Sequence, residues 1–108
     1  MDRMNEVRAV GIVNGKTITG RTKNDESACS FGLAIPVNKH KSTWIRVNAY
    51  GQLADFCSDN LEQKIGCYVM GELMSREGSS GTFIEILARE VRFEGKHFPA
   101  TEGEGSDG

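Results

Sequence analysis

Apolar residues recur at every second position along several stretches of the chain, and one stretch changes to helical spacing. Val7, Ala9, Gly11 and Val13 share a phase. Glu6 and Arg8 begin the opposite face, where Val10 and Ile12 then replace polar residues. This predicts a strand within Asn5–Gly15, half buried at first and more buried later. Gly11 inside it marks a bend or a close backbone approach. Gly15 and Lys16 signal a turn, and the polar stretch Thr17–Ser27 reads as an exposed connection. In Ala28–Val37, Cys29, Phe31, Leu33 and Ile35 oppose Ser30, Gly32 and Ala34. Pro36 lacks a donor, so that strand is at an edge or ending there. A polar link, Asn38–Ser42, then leads to a third strand. In it Ile45, Val47 and Ala49 lie on one side, and Trp44, Arg46, Asn48 and Tyr50 on the other. After Gly51 the period changes. Leu53, Ala54, Phe56, Cys57 and Leu61 are spaced for a helix of two to three turns. Alternation resumes over Cys67–Glu77, turns at Gly78–Gly81 and continues over Thr82–Phe93. Val91 and Phe93 are out of phase with Ile84 and Ile86, which predicts a bulge near Ala88–Arg89.

Three strands, a short helix and two strands make an all-β chain with one helix. That is the element order of the five-stranded OB-fold, a Greek-key barrel with its helix between strands three and four. A ferredoxin-like domain would need a helix where the polar Thr17–Ser27 stretch lies. The 108 residues argue for one domain with a modest core, which a homo-oligomer interface would help. The expected boundaries are residues 1–95 for the barrel and 96–108 for a short acidic, Gly-rich tail, disordered from about Thr101.

Charge sharpens the picture. The formal net charge of −2 argues at first sight against an anionic partner, but the distribution still allows one. Between Arg3 and Gln52, eight Lys and Arg face three acids; from Glu94 onward, four acids face Lys96. Local potential, not net charge, governs binding to an anionic polymer. Cys29, Cys57 and Cys67 are odd in number and show no C-x-x-C spacing, so neither a disulfide framework nor a zinc site is expected. No run approaches a membrane span, and no signal-peptide core opens the chain. The expectation is a cytoplasmic protein without a membrane partner.

The third strand carries the candidate chemistry. With Ile45, Val47 and Ala49 inside a barrel, Trp44, Arg46 and Tyr50 must face outward. Exposing such rings forgoes roughly 1.5–3 kcal/mol each. Single-stranded nucleic acid recovers that energy, since stacking on an aromatic side chain is worth roughly 1–3 kcal/mol per base. Arg46 can meet phosphate or stack. Arg8, Lys16, Arg21, Lys39, His40, Lys41 and Arg76 are candidates to line the path of the strand. The competing account places Trp44 and Tyr50 in an oligomer interface or beneath a loop.

The segments "MNEVRAVGIVNG", "CSFGLAI", "WIRVNAYGQLADFCSDNL", "GCYVMGEL" and "EILAREVRF" resemble, in order, those of bacterial and phage single-stranded DNA-binding proteins. The likeness covers about Met4 to Phe93. It implies an OB-fold that binds single-stranded DNA with little sequence preference, as a homotetramer or dimer, in replication, recombination or repair. It makes Trp44 and Tyr50 stacking residues and Arg46 part of the same motif. Two further stacking positions of the family are unmatched, one at Asn38–His40 and one in the last hairpin, where "REGSSG" has no aromatic. Weaker or shorter-site binding is therefore expected. The family's terminal Pro-Phe tip is not matched by Phe98-Pro99, which is internal and reversed, so the resemblance does not carry over recruitment of replication or repair proteins by that route.

Glu72 and Glu85 could approach across the last hairpin, but no nucleophile, metal-ligand cluster or phosphate loop accompanies them. No enzyme activity, cofactor or metal is expected. Tyr68 and Met70 suit an oligomer partner better than DNA. The alternative function is an OB-fold adaptor of the primosome type, acting mainly through protein contacts.

Overall fold

The three-dimensional structure is a computed structural model that describes residues 3–96. The elements are β1 (Val7–Val13), β2 (Ile18–Arg21), β3 (Ser27–Asn38), β4 (Lys41–Tyr50), α1 (Gln52–Asn60), β5 (Gly66–Gly78) and β6 (Gly81–Phe93). The sheet order is β1-β5-β6-β4-β3-β2, and a β1–β3 pairing closes five of the strands into a barrel. That seam is short, Ile12 with Ala34 and Val13 with Leu33. The β4–β6 contact is parallel through Val47–Ile86 and Asn48–Leu87. The five-stranded OB-fold barrel expected from the element order is present, with its helix between the third and fourth barrel strands.

One connection differs from expectation. The polar Thr17–Ser27 stretch contains β2, a sixth strand outside the barrel that pairs only with β3. All four of its residues are exposed, so no alternation of burial marks it in the sequence. The β3–β4 link is also tighter than expected. β3 continues past Pro36 to Asn38 through a register shift, which leaves only Lys39 and His40 between the strands. Pro36 lies beyond Ala34, the last β3 residue paired with β1, so that flank of β3 needs no donor there.

The interior follows the alternation. Phe31, Leu33, Val47, Val69, Ile86 and Val91 are fully buried. α1 closes one end with Ala54, Phe56 and Cys57. Phe93 joins the layers, its ring 5.7 Å from Phe56 and 6.0 Å from Phe31. Gly51 starts the helix at φ 67, a left-handed value that a side chain would strain. Lys96 donates to the Asn60 carbonyl at 3.0 Å and so places a cation at the helix C-terminus.

Two phase readings hold. A Cβ on Gly11 would lie 2.4 Å from the Ala34 carbonyl oxygen, so β1 and β3 touch there backbone to backbone. Met70 pairs with Glu90 and Gly71 with Ala88, which leaves Arg89 as the extra residue of a bulge. A third reading does not hold. Val10 and Ile12 are exposed, not buried. A closed barrel has one interior, and the second face of β1 lies outside it, where Val10 is in register with Tyr68 and Tyr68 with Arg92. The three cysteines are buried and free. Burial pushes the Cys67 thiol up to about 12 and raises Cys29; it raises Cys57 as well, helped by the two other thiols.

Candidate nucleic-acid interface

β4 crosses the barrel with Val47 and Ala49 buried and Ile45 packed against the core. Its other face presents Trp44, Arg46, Asn48 and Tyr50, because successive strand residues point to opposite sides. Trp44 is 52% exposed and Tyr50 40%. They are six positions apart, so their places on the strand are roughly 20 Å apart at about 3.3 Å per residue.

The indole of Trp44 is exposed but not loose. Its Nε1–H donates to the Asn14 carbonyl at 3.2 Å. It lies against the β3 backbone at Gly32, where an added Cβ would meet Cζ2 at 2.5 Å and Nε1 at 2.6 Å. The Arg46 guanidinium carbon sits 5.6 Å from the ring centroid. Both terminal nitrogens of Arg46 donate to the Lys16 carbonyl, at 3.1 and 2.8 Å. Arg46 therefore ties the β1–β2 connection to the aromatic, and part of its donor capacity is spent on the protein. Ordering a ring before a base arrives lowers the entropy that binding must supply.

A groove of about 360 Å³ opens beside Trp44, lined by Ile45, Arg46, Arg76, Phe83, Ile84 and Glu85. Phe83 is 46% exposed. Sequence reading missed it. Phe83 follows the turn by two residues and pairs with Arg76 across the β5–β6 hairpin, and only that pairing brings it to Trp44. The segment Arg76–Gly81 has no aromatic, and Phe83 stands just beyond it on the returning strand. Arg76 is in the groove, with its Nε 3.0 Å from Glu85 Oε2. Glu85 is only 4% exposed, and its Oε1 accepts from Asn48 Nδ2 at 2.8 Å. Glu72 has a different partner, Arg89. The two carboxylates are thus engaged separately by arginines.

A second hollow, about 250 Å³, lies at the Tyr50 end of β4 and is lined by β2 and β3 residues that include Ile18, Arg21 and Ser30. Arg21 is braced by Asp25 at 3.1 Å and by Ser27 Oγ at 3.0 Å. The unexpected strand β2 thereby forms one wall of the candidate interface.

The structure thus places Trp44, Arg46 and Arg76 in one hollow along β4 and Tyr50 and Arg21 in another. Lys16 reaches them through its backbone, and its side chain is exposed. Lys39, His40 and Lys41 stand exposed at the tip of the β3–β4 hairpin and line neither hollow. Arg8 is elsewhere. It pairs with Glu6 at 2.8 Å, a contact that raises its pKa, and it lies on β1 in register with Met70. Among the described residues no group of His, Cys, Asp and Glu is arranged to hold a metal ion. No helix among them is long and apolar enough to cross a membrane. The acidic tail beyond Lys96, including Phe98 and Pro99, lies outside the described residues.

Comparison with known proteins gives a consistent result. The model of the single-strand binding protein family matches residues 4–94. Single-stranded DNA-binding protein 2 of Chlorobaculum tepidum is 40% identical over 55 residues, which are 46% of this chain and 37% of that protein's length. The second single-stranded DNA-binding protein of Mycobacterium smegmatis superposes with a TM-score of 0.71 at 22% identity, over 83% of this chain and 88% of that one. The small single-stranded DNA-binding protein of Streptomyces coelicolor gives 0.70 at 25% identity, over 86% and 94%. A deletion variant of the Thermus aquaticus single-stranded DNA-binding protein gives 0.73 at 22%, over 89% of this chain and 43% of that one.

Proposed function

Since the chain belongs to the single-strand binding protein family, we propose that it binds single-stranded DNA along the outer face of β4, largely by base stacking. The carrying observation is the pair of exposed rings, Trp44 and Tyr50, on a strand whose opposite face buries Val47 and Ala49 in the core. Phe83 adds a third ring beside Trp44. Arg46, Arg21 and Arg76 supply charge along the same line, and Lys39 and Lys41 supply it from the hairpin tip, with His40 between them as a further polar contact. Stacking at roughly 1–3 kcal/mol per base suits a sequence-tolerant binder, because every base has a π-face. The role that fits this chemistry is protection of single strands during replication, recombination or repair.

Trp44 is the sole tryptophan, so its fluorescence reports on the interface. Addition of oligo-dT is expected to quench it strongly, with affinity falling steeply as salt rises. Unchanged fluorescence together with no gel shift at low salt would sink this function and favour an adaptor that works through protein contacts.

We also propose that the chain forms a homo-oligomer, a dimer or tetramer, through the outer face of β1 and β5. Val10 and Ile12 are exposed there beside half-buried Tyr68 and Met70. Arg92 lies over the Tyr68 ring at 5.5 Å. A chain this short gains from sharing apolar surface with a copy of itself. Native mass spectrometry should show a multiple of the 11.8 kDa chain, and Val10→Lys should shift it toward monomer. A wild-type monomer would overturn the assignment.

A further inference from the structure

The buried carboxylate of Glu85 has a consequence for the side chain it holds. Asn48 lies between Arg46 and Tyr50 on the β4 face and lines the hollow beside Tyr50. Its Nδ2 donates to Glu85 Oε1 at 2.8 Å and, at 3.5 Å, to the Ile86 carbonyl. Both partners can only accept, as Glu85 is a carboxylate in an ion pair with Arg76. The amide therefore turns its NH₂ inward. Its Oδ1 takes no hydrogen bond from the described residues, and it is not among their buried unpaired atoms. An acceptor that is not fully buried is thus held, by contacts to buried groups, on a residue that lines the hollow.

We propose that Asn48, positioned by Glu85, discriminates between bases at the Tyr50 end of the interface. The inference rests on the single-strand reading above. An acceptor does not suit phosphate, for which Arg21 in the same hollow is the better partner, so the group that meets the Asn48 oxygen beside Tyr50 is a base. Cytosine and adenine each carry an exocyclic amino donor at the corner of the ring. Thymine offers only N3–H, flanked by two carbonyls that would meet the Asn48 oxygen unfavourably. The base next to Tyr50 is therefore preferred as cytosine or adenine over thymine. The preference is about twofold to tenfold, the worth of one neutral hydrogen bond.

The experiment uses the full-length protein and oligo-dT strands of one length, each with a single dC moved along the sequence. Trp44 quenching gives the affinities. Wild type is expected to favour dC over dT at one position, by the factor above. Asn48→Ala should abolish the preference, so that dC and dT bind equally at every position whatever the variant's affinity for oligo-dT itself. Glu85→Gln tests the positioning. Glutamine can donate as well as accept, so the Asn48 amide is free to turn over, and the preference should be lost or reversed. Melting temperatures of both variants establish that they are folded, and Asn48→Ala alone decides the matter if Glu85→Gln is not. No position-dependent preference in wild type, or one that survives Asn48→Ala, overturns the proposal. Absence of any oligo-dT binding by wild type would instead overturn the function on which it rests.

Discussion

Gly32→Ala is the sharpest perturbation of the interface, since it adds one methyl group where the Trp44 ring lies. The new Cβ would stand 2.4 Å from the Asn14 carbonyl oxygen and 2.5 Å from Trp44 Cζ2, against ordinary contact beginning at 3.4 Å. Both groups must retreat by about 1 Å, and the first is backbone. Moving the ring also breaks the Nε1–H bond to Asn14, worth about 0.5–1.5 kcal/mol. Overpacking adds about 1–3 kcal/mol of destabilisation. At about 4–8 °C per kcal/mol for a domain near this size, melting should fall by several degrees or more. Affinity should fall with it, up to the whole stacking contribution of Trp44. That contribution, roughly 1–3 kcal/mol, corresponds to about fivefold to 150-fold in Kd. The assay is a double-mutant cycle with Trp44→Ala, read by anisotropy of a labelled oligo-dT strand so that no tryptophan is needed. If Gly32 acts through the ring, Gly32→Ala costs affinity in the wild type and almost none in the Trp44→Ala background. Additive losses, or wild-type affinity for Gly32→Ala alone, would refute the claim that this backbone contact places the indole for stacking.

Other expectations follow from the same geometry. Trp44→Ala should weaken oligo-dT binding more than Lys41→Ala, and only Lys41→Ala should reduce the slope of log affinity against log salt, by about one unit for one phosphate contact; equal losses in a titration would count against stacking. Gly71→Ala would bring a Cβ to 2.1 Å from the Leu87 carbonyl oxygen, so thermal melting should register a destabilisation of about 1–3 kcal/mol or more, and a variant with unchanged Tm would contradict the β5–β6 register. Alkaline pH should destabilise the fold through Cys67, whose thiol rises from 9.0 to about 12 on burial. Between those values the unfolded chain has released the proton that the native chain keeps, so this contribution is complete below pH 9.0 and is lost as pH climbs toward 12. Denaturant midpoints at about pH 8 and about pH 10.5 should show the loss, and Cys67→Ala should lessen it.

Period-two alternation determined by itself which side of β3 and β4 packs the core, because a strand offers only two faces and only one of them was uniformly apolar. The same rule exposed Trp44 and Tyr50, and the single change to helical spacing located α1. The phase break in the last strand located the bulge at Arg89. Other features needed the closed barrel. Val10 and Ile12 look like core in sequence, yet barrel closure leaves β1 only one interior face. β2 has no apolar face and exists through hydrogen bonds to β3, which no pattern of burial records. Phe83 joins Trp44 only because the β5–β6 register sets it opposite Arg76 beside the groove. Arg8 looked like part of the basic path and is turned instead to the outer sheet face beside Glu6. Glu85 sits in the sequence between two isoleucines as an ordinary outward residue; pairing with Asn48 and Arg76 makes it a buried acid. Alternation is a local property of the chain and survives in the sequence. The meeting of β4 with β5 and β6 joins residues thirty or more positions apart, and only the folded register decides it.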